Sequence, residues 1–165
     1  MRRLGFLAAP LTLVIIIAIP STALTQDRSP ELERLDYYVG EWNVDAGDMG
    51  SGLFTCGWLG AKVLTCESEF NFSSGATAKT VGIWSYNAER ELYTWLRYWG
   101  NGNLDDHVGW VDGGTWTFMQ RDTPGGHYRF VFTEESSTEM SQQWWQSIRG
   151  GEWEFAGTAT LTKVR

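Results

Sequence analysis

Few residues in this 165-residue chain are of a type and spacing that could do chemistry. Cys56 and Cys66 come first. Two thiols with no nearby histidine cannot complete a tetrahedral zinc shell. The stretch Gly57 to Thr65 reads instead as two short strands around a turn centred on Ala61, which sets Cys56 directly across from Cys66. A structural disulfide is the expectation there. Arg97 and Asp106 form the second constellation. A two-residue turn at Asn101-Gly102 would make them facing partners on the inside of one hairpin. A buried pair of this kind is poor evidence for stability but a reasonable anchor for a carboxylate, carbonyl or hydroxyl. Tyr93 lies close enough in sequence to join them in acid–base chemistry. His107 and His127 fall on the opposite, polar face in the same reading. No nucleophile elbow, His-Glu-x-x-His helix or phosphate-cradling glycine loop is present in the sequence.

The elements that must position these residues are short strands. From Glu41 onward, β-branched and aromatic runs alternate with turn residues, at the spacing of a sandwich or barrel. About ten strands are expected, near 41–46, 51–59, 62–72, 76–86, 91–99, 103–111, 115–121, 127–134, 138–148 and 152–163. A short amphipathic helix over Pro30 to Tyr37, with Leu32 and Leu35 on one face, should precede them.

Hairpin geometry fixes which side chains share a face. Propagated from the cysteine pair, one face collects Phe54, Trp58, Leu64, Phe70, Phe72, Trp84 and Tyr86. It continues through Tyr93, Trp95, Arg97, Trp99, Leu104, Asp106, Val108, Trp110, Thr117 and Met119. Tyr128, Phe130, Phe132, Met140, Trp144, Trp153, Phe155 and Leu161 complete it. The other face holds Glu67, Glu69, Lys79, Asp105, Gln120 and Arg129. A flat sheet would leave the aromatic face wet, so the sheet must close into a barrel. Trp116, Phe118 and Trp145 fall on the polar face. Either a register is off by one there, or they form an outer contact patch through which the chain would pair as a homodimer.

Ahead of the barrel, Arg2 and Arg3 precede an apolar run from Leu4 to Ile19, then Ser21-Thr22-Ala23. This is the pattern of a cleavable signal peptide over residues 1–25. Pro10 and Pro20 interrupt the run, which is shorter than the ~20 residues of a spanning helix. A single domain over 26–165, periplasmic or extracellular and free of the membrane after cleavage, is the expectation. Without Arg2 and Arg3, 11 basic residues face 20 acidic ones, a formal charge of −9. That balance disfavours nucleic acid as a partner.

Several motifs taken in order resemble one family. Leu35 to Trp42 is similar to the Gly-x-Trp opening of calycin-type barrels. Cys56-Gly57-Trp58 through Cys66, Ser85-Tyr86-Asn87 with Tyr93, Gly109 through Phe118, and Gly151 to Gly157 resemble the exported lipocalin-like barrels of "domain of unknown function 1579". The resemblance spans nearly the whole mature chain. It implies a closed antiparallel barrel of about ten strands, like nitrobindin and the fatty-acid-binding proteins, and no established activity. Haem, which nitrobindin-like barrels hold through histidine, is disfavoured as a cofactor. Both histidines are expected outside, and Gly40-Glu41-Trp42-Asn43-Val44 lacks the further glycines of those proteins.

Three function classes follow. A binding module would hold a small apolar or aromatic ligand against Trp84, Tyr86, Tyr93, Trp95, Arg97, Trp99, Asp106, Trp110, Met119 and Phe130. An enzyme would work through an internal Tyr93, Arg97 and Asp106. An interaction protein would have a filled core and a working patch around Trp116, Phe118 and Trp145. The ten tryptophans, more than packing requires, favour the first.

Overall fold

The computed structural model describes residues 28–121 and 127–164. The expected leader over 1–25 and the turn at Pro124-Gly125-Gly126 lie outside the described residues. Ten antiparallel strands close into a barrel. They are β1 (Gly40–Asp45), β2 (Gly50–Trp58), β3 (Leu64–Phe72), β4 (Thr77–Asn87) and β5 (Leu92–Trp99). The remainder are β6 (Leu104–Asp112), β7 (Thr115–Gln120), β8 (His127–Ser136), β9 (Glu139–Ser147) and β10 (Glu154–Lys163). Each strand pairs with its sequence neighbours, and β1 closes on β10 through Trp42 opposite Lys163 and Val44 opposite Leu161.

The helix is shorter than the sequence pattern suggests. One α-turn, α1 (Pro30–Glu33), begins at Ser29, whose Oγ accepts from the Leu32 amide, and passes directly into a 3-10 turn over Arg34–Tyr38. The tighter winding brings Leu32, Leu35 and Tyr38 all inward, where they are buried. Tyr38 packs against Trp84, Trp116 and Phe132. Side-chain bonds tie this segment over the barrel end. Tyr93 donates to the Glu31 carbonyl (3.0 Å), Trp58 Nε1 to Asp36 (2.7 Å), and Arg34 to the Gly113 carbonyl (2.6 Å). One end of the barrel is thereby sealed.

Cys56 and Cys66 sit opposite each other in β2 and β3 and form a disulfide. The ten-residue separation removes loop entropy worth about 2–3 kcal/mol from the unfolded chain. From that bridge the inner face runs as expected through β5: Leu64 opposite Trp84, Trp84 opposite Trp95, Tyr86 opposite Tyr93.

The next hairpin departs from expectation. Its turn has three residues, Gly100-Asn101-Gly102, closed by the Trp99 amide donating to the Asn103 carbonyl and the Gly102 amide donating to Trp99. Gly102 takes φ +89°, the left-handed conformation that ends three-residue hairpin loops. The one-residue difference rotates all of β6 and β7. Arg97 faces Asp105, not Asp106, and Trp95 faces His107. Phe118 faces Gly109, and Trp116 and Phe118 are buried in the core. The register is restored at β8, where Phe130 and Phe132 point inward. The outer patch expected around Trp116 and Phe118 is therefore core, and only Trp145 remains outside, edge-on to Phe155. Phe155 was expected inside. A bulge between Phe155 and Gly157 turns it outward to 60% exposure, and Trp153, ahead of β10, is also exposed.

Candidate functional site

The barrel is filled at its sealed end and hollow at the other. Trp84, Trp116, Phe118 and Phe132 form an edge-to-face cluster beneath Tyr38. Trp84 stacks on Trp95, with centroids 4.8 Å apart and planes 25° apart, and this pair makes a floor. Beyond it lies a cavity of about 560 Å³, within the range of small-molecule pockets. Its walls are drawn from β1 to β6 and β8 to β10, mostly apolar side chains such as Val44, Leu53, Phe70, Trp99, Phe130 and Trp144.

One charged cluster interrupts these walls. Arg97 Nε and Nη2 both donate to Asp105 Oδ2, at 3.1 and 2.8 Å. The same oxygen accepts Trp99 Nε1 at 2.7 Å, and Oδ1 accepts Gln120 Nε2 at 3.1 Å. Gln120 in turn accepts the Tyr128 amide. Four donors reach the Asp105 carboxylate, three at Oδ2 and one at Oδ1, and they offset the cost of its partial burial. The Arg97 guanidinium lies over Trp95, Trp99 and Phe130, 4.6–4.9 Å from their centroids, a favourable cation–π arrangement. Burial pulls the Arg97 pKa below its ordinary value, and the bonds to Asp105 offset part of that shift. The group stays a cation at neutral pH.

His107 adjoins this cluster. Its ring stacks on Trp95 (4.5 Å, 21°) and meets Phe130 edge-on. Nδ1 lies 3.2 Å from the Trp95 carbonyl, so Nδ1 carries the proton and donates. Nε2 is buried with no partner among the described residues. Burial, then the nearby Arg97 charge, push its pKa down to about 4. The imidazole is neutral and expected on the outside, yet it sits wholly inside.

Of the ten residues expected to contact a ligand, five line the cavity: Trp84, Trp95, Arg97, Trp99 and Phe130. Tyr86 and Tyr93 point inward but pack against each other with tilted rings at the sealed end, away from the hollow. Asp106, Trp110 and Met119 face outward, a correction that follows from the three-residue turn. Asp106 pairs with Arg121 at the surface, Trp110 is 46% exposed, and Met119 stands opposite Arg129. The structure does not bring Tyr93, Arg97 and Asp106 together. Asp105, Gln120 and His107 were missed. Their signal was the conflict noted above, since the same one-residue shift that moves Trp116 and Phe118 inward moves these three inward with them.

No family model matches the chain, and no curated protein does. Among solved structures, that of Rv2717c from M. tuberculosis is similar, with a TM-score of 0.62 at 16% identity, covering 84% of this chain and all of that one. At that identity the likeness shows the fold alone. The chain is a closed ten-stranded antiparallel barrel with a solved structural neighbour.

Proposed function

We propose that this protein is an exported binding barrel that holds one small, largely apolar or aromatic molecule in the open half of its interior. The observation that carries the reading is the half-hollow barrel itself. Its roughly 560 Å³ cavity has mostly apolar walls and one hydrogen-bonded Arg97–Asp105 pair. A core evolved only to pack would close this space, since voids cost stability. The Arg97–Asp105 cluster supports a polar end on the ligand, because a buried pair serves stability poorly. A filled-core interaction module accords less well with the hollow and with the inward turn of Trp116 and Phe118.

Export rests on the leader pattern of residues 1–25, and the formed disulfide is compatible with it. The motif order quoted above supports kinship with the barrels of "domain of unknown function 1579". Native mass spectrometry of the mature protein, after incubation with a small-molecule extract of its host, tests the reading. One adduct per chain is expected, absent from Ala78→Trp and Ala159→Phe, which place bulk in the cavity. Adducts retained equally by both variants would place binding elsewhere and overturn it.

A further inference from the structure

The cavity wall built by β8, β9 and β10 carries one side chain that packing does not explain. Gln142 of β9 stands opposite Phe132 of β8 and Ala159 of β10, both buried in the interior. It therefore points inward, and it lines the cavity beside Phe132, Trp144 and Ala159. Its main-chain carbonyl accepts the Thr158 hydroxyl at 3.0 Å, but its side-chain amide bonds to none of the described residues. Gln142 is only half-buried, and because it points inward the surface it keeps is open to the hollow. The neighbouring inward positions of the same strand hold Met140 and Trp144. A leucine would continue that apolar run, whereas an unbonded amide in such a wall weakens the fold and calls for an explanation.

Resting on the binding-barrel reading above, we propose that the ligand is electrically neutral and that Gln142 receives its one polar group, a carbonyl or a hydroxyl. Charge decides the class. Among the described residues of the lining, the charged side chains are Glu69, Arg97 and Asp105. Arg97 pairs with Asp105 at 2.8 Å, and Glu69 pairs with Lys79 at 2.8 Å. The lining therefore offers no cation without a carboxylate, and no carboxylate without a cation. A carboxylate or ammonium on the ligand would leave water without gaining a counter-ion of its own. A neutral polar group costs far less to desolvate, and one or two hydrogen bonds offset that cost. The Gln142 amide carries two N–H donors and an acceptor oxygen. It can donate to a carbonyl, or both donate to and accept from a hydroxyl. Other polar groups of the lining are already engaged: Trp99 Nε1 bonds Asp105, and the Ser68 and Thr80 hydroxyls bond each other at 2.7 Å. Phe132, Trp144 and Leu161 around Gln142 suit the apolar body to which that group is attached.

The test uses the neutral fluorophore N-phenyl-1-naphthylamine bound to the protein. It is displaced by 6-phenylhexan-2-one, hexylbenzene or 5-phenylpentanoate, which share one phenylbutyl body and end in a carbonyl, a hydrocarbon or a carboxylate. In the parent protein the ketone should displace it at least about tenfold better than the carboxylate. Gln142→Leu removes the amide at similar volume and should shift the ketone-to-hydrocarbon affinity ratio at least about fivefold against the ketone. Gln143→Leu, on the exposed outer face of the same strand, should leave that ratio where it is. Each ratio is taken within one variant, so a general loss of affinity cancels, and Gln142→Met stands in if Gln142→Leu does not fold. A carboxylate that matches the ketone in the parent protein would overturn the neutral class. A ratio unmoved by Gln142→Leu, as when the amide meets only water, would overturn the role of Gln142; both results leave the cavity reading intact. Failure of the fluorophore itself to bind would instead overturn the binding-barrel reading on which the assignment rests.

Discussion

At the scale of single residues, His107 is the most consequential side chain that sequence reasoning put on the wrong face. It is wholly buried, stacked on Trp95, and held neutral by burial with its pKa near 4. A histidine in the unfolded chain titrates near 6.5. Between those values the unfolded chain binds the extra proton. The stabilising contribution is therefore complete above about pH 6.5 and is lost as pH falls toward 4. From pH 7 to pH 5 the loss is about 2 kcal/mol, or roughly 4–8 °C in Tm for a domain of this size. Thermal melts of the parent and of His107→Phe at both pH values check this. Whatever the variant's Tm at pH 7, its fall on acidification should be smaller by about that amount. An equal fall in both proteins would mean that His107 is not buried neutral.

At the scale of elements, most of the barrel was legible and one turn was not. Ten strands, their order, the closure and the cysteine register follow from period-two alternation and turn residues, signals that short antiparallel strands state clearly. The hairpin between β5 and β6 was ambiguous. Asn101-Gly102 suits a two-residue turn, and Gly100-Asn101-Gly102 suits a three-residue loop ending in left-handed glycine. Neither local propensity nor charge separates Asp105 from Asp106, which are adjacent and identical. The tertiary requirement to bury Trp116 and Phe118 decides between them, and it acts two strands away.

This register can be checked by substitution. Asp105→Ala leaves the Arg97 guanidinium, Trp99 Nε1 and Gln120 Nε2 without their shared acceptor. Breaking a fully buried pair costs about 3–5 kcal/mol, so this mostly buried one, with side chains 15% and 17% exposed, should lose roughly 2–3 kcal/mol. Asp106→Ala removes a pair with Arg121 at the surface, worth ~0–1 kcal/mol. Urea unfolding of the two variants should therefore separate them widely, with Asp105→Ala the weaker. Equal midpoints, or the reverse order, would restore the two-residue turn.

At the scale of the whole molecule, division of labour along the barrel axis explains the wealth of aromatic residues. At one end Tyr38, Trp84, Trp116 and Phe132 pack under the N-terminal turns and seal the barrel. At the other, Trp95, Trp99, Phe130 and Trp144 line a space that nothing among the described residues fills. Sequence alone could not apportion the tryptophans between plug and wall, because both sets share the inner face. What separates them is position along the strand relative to α1 and the 3-10 turn that follows it. The central claim is that this space is a ligand site, and an equilibrium titration reads it most directly. Tryptophan emission of the protein is followed as N-phenyl-1-naphthylamine is added, with Ala78→Trp alongside. Saturable quenching at one probe per chain with Kd about micromolar, weakened at least tenfold by Ala78→Trp, is the expected result. Non-saturable quenching, or an affinity that Ala78→Trp leaves unchanged, would contradict it.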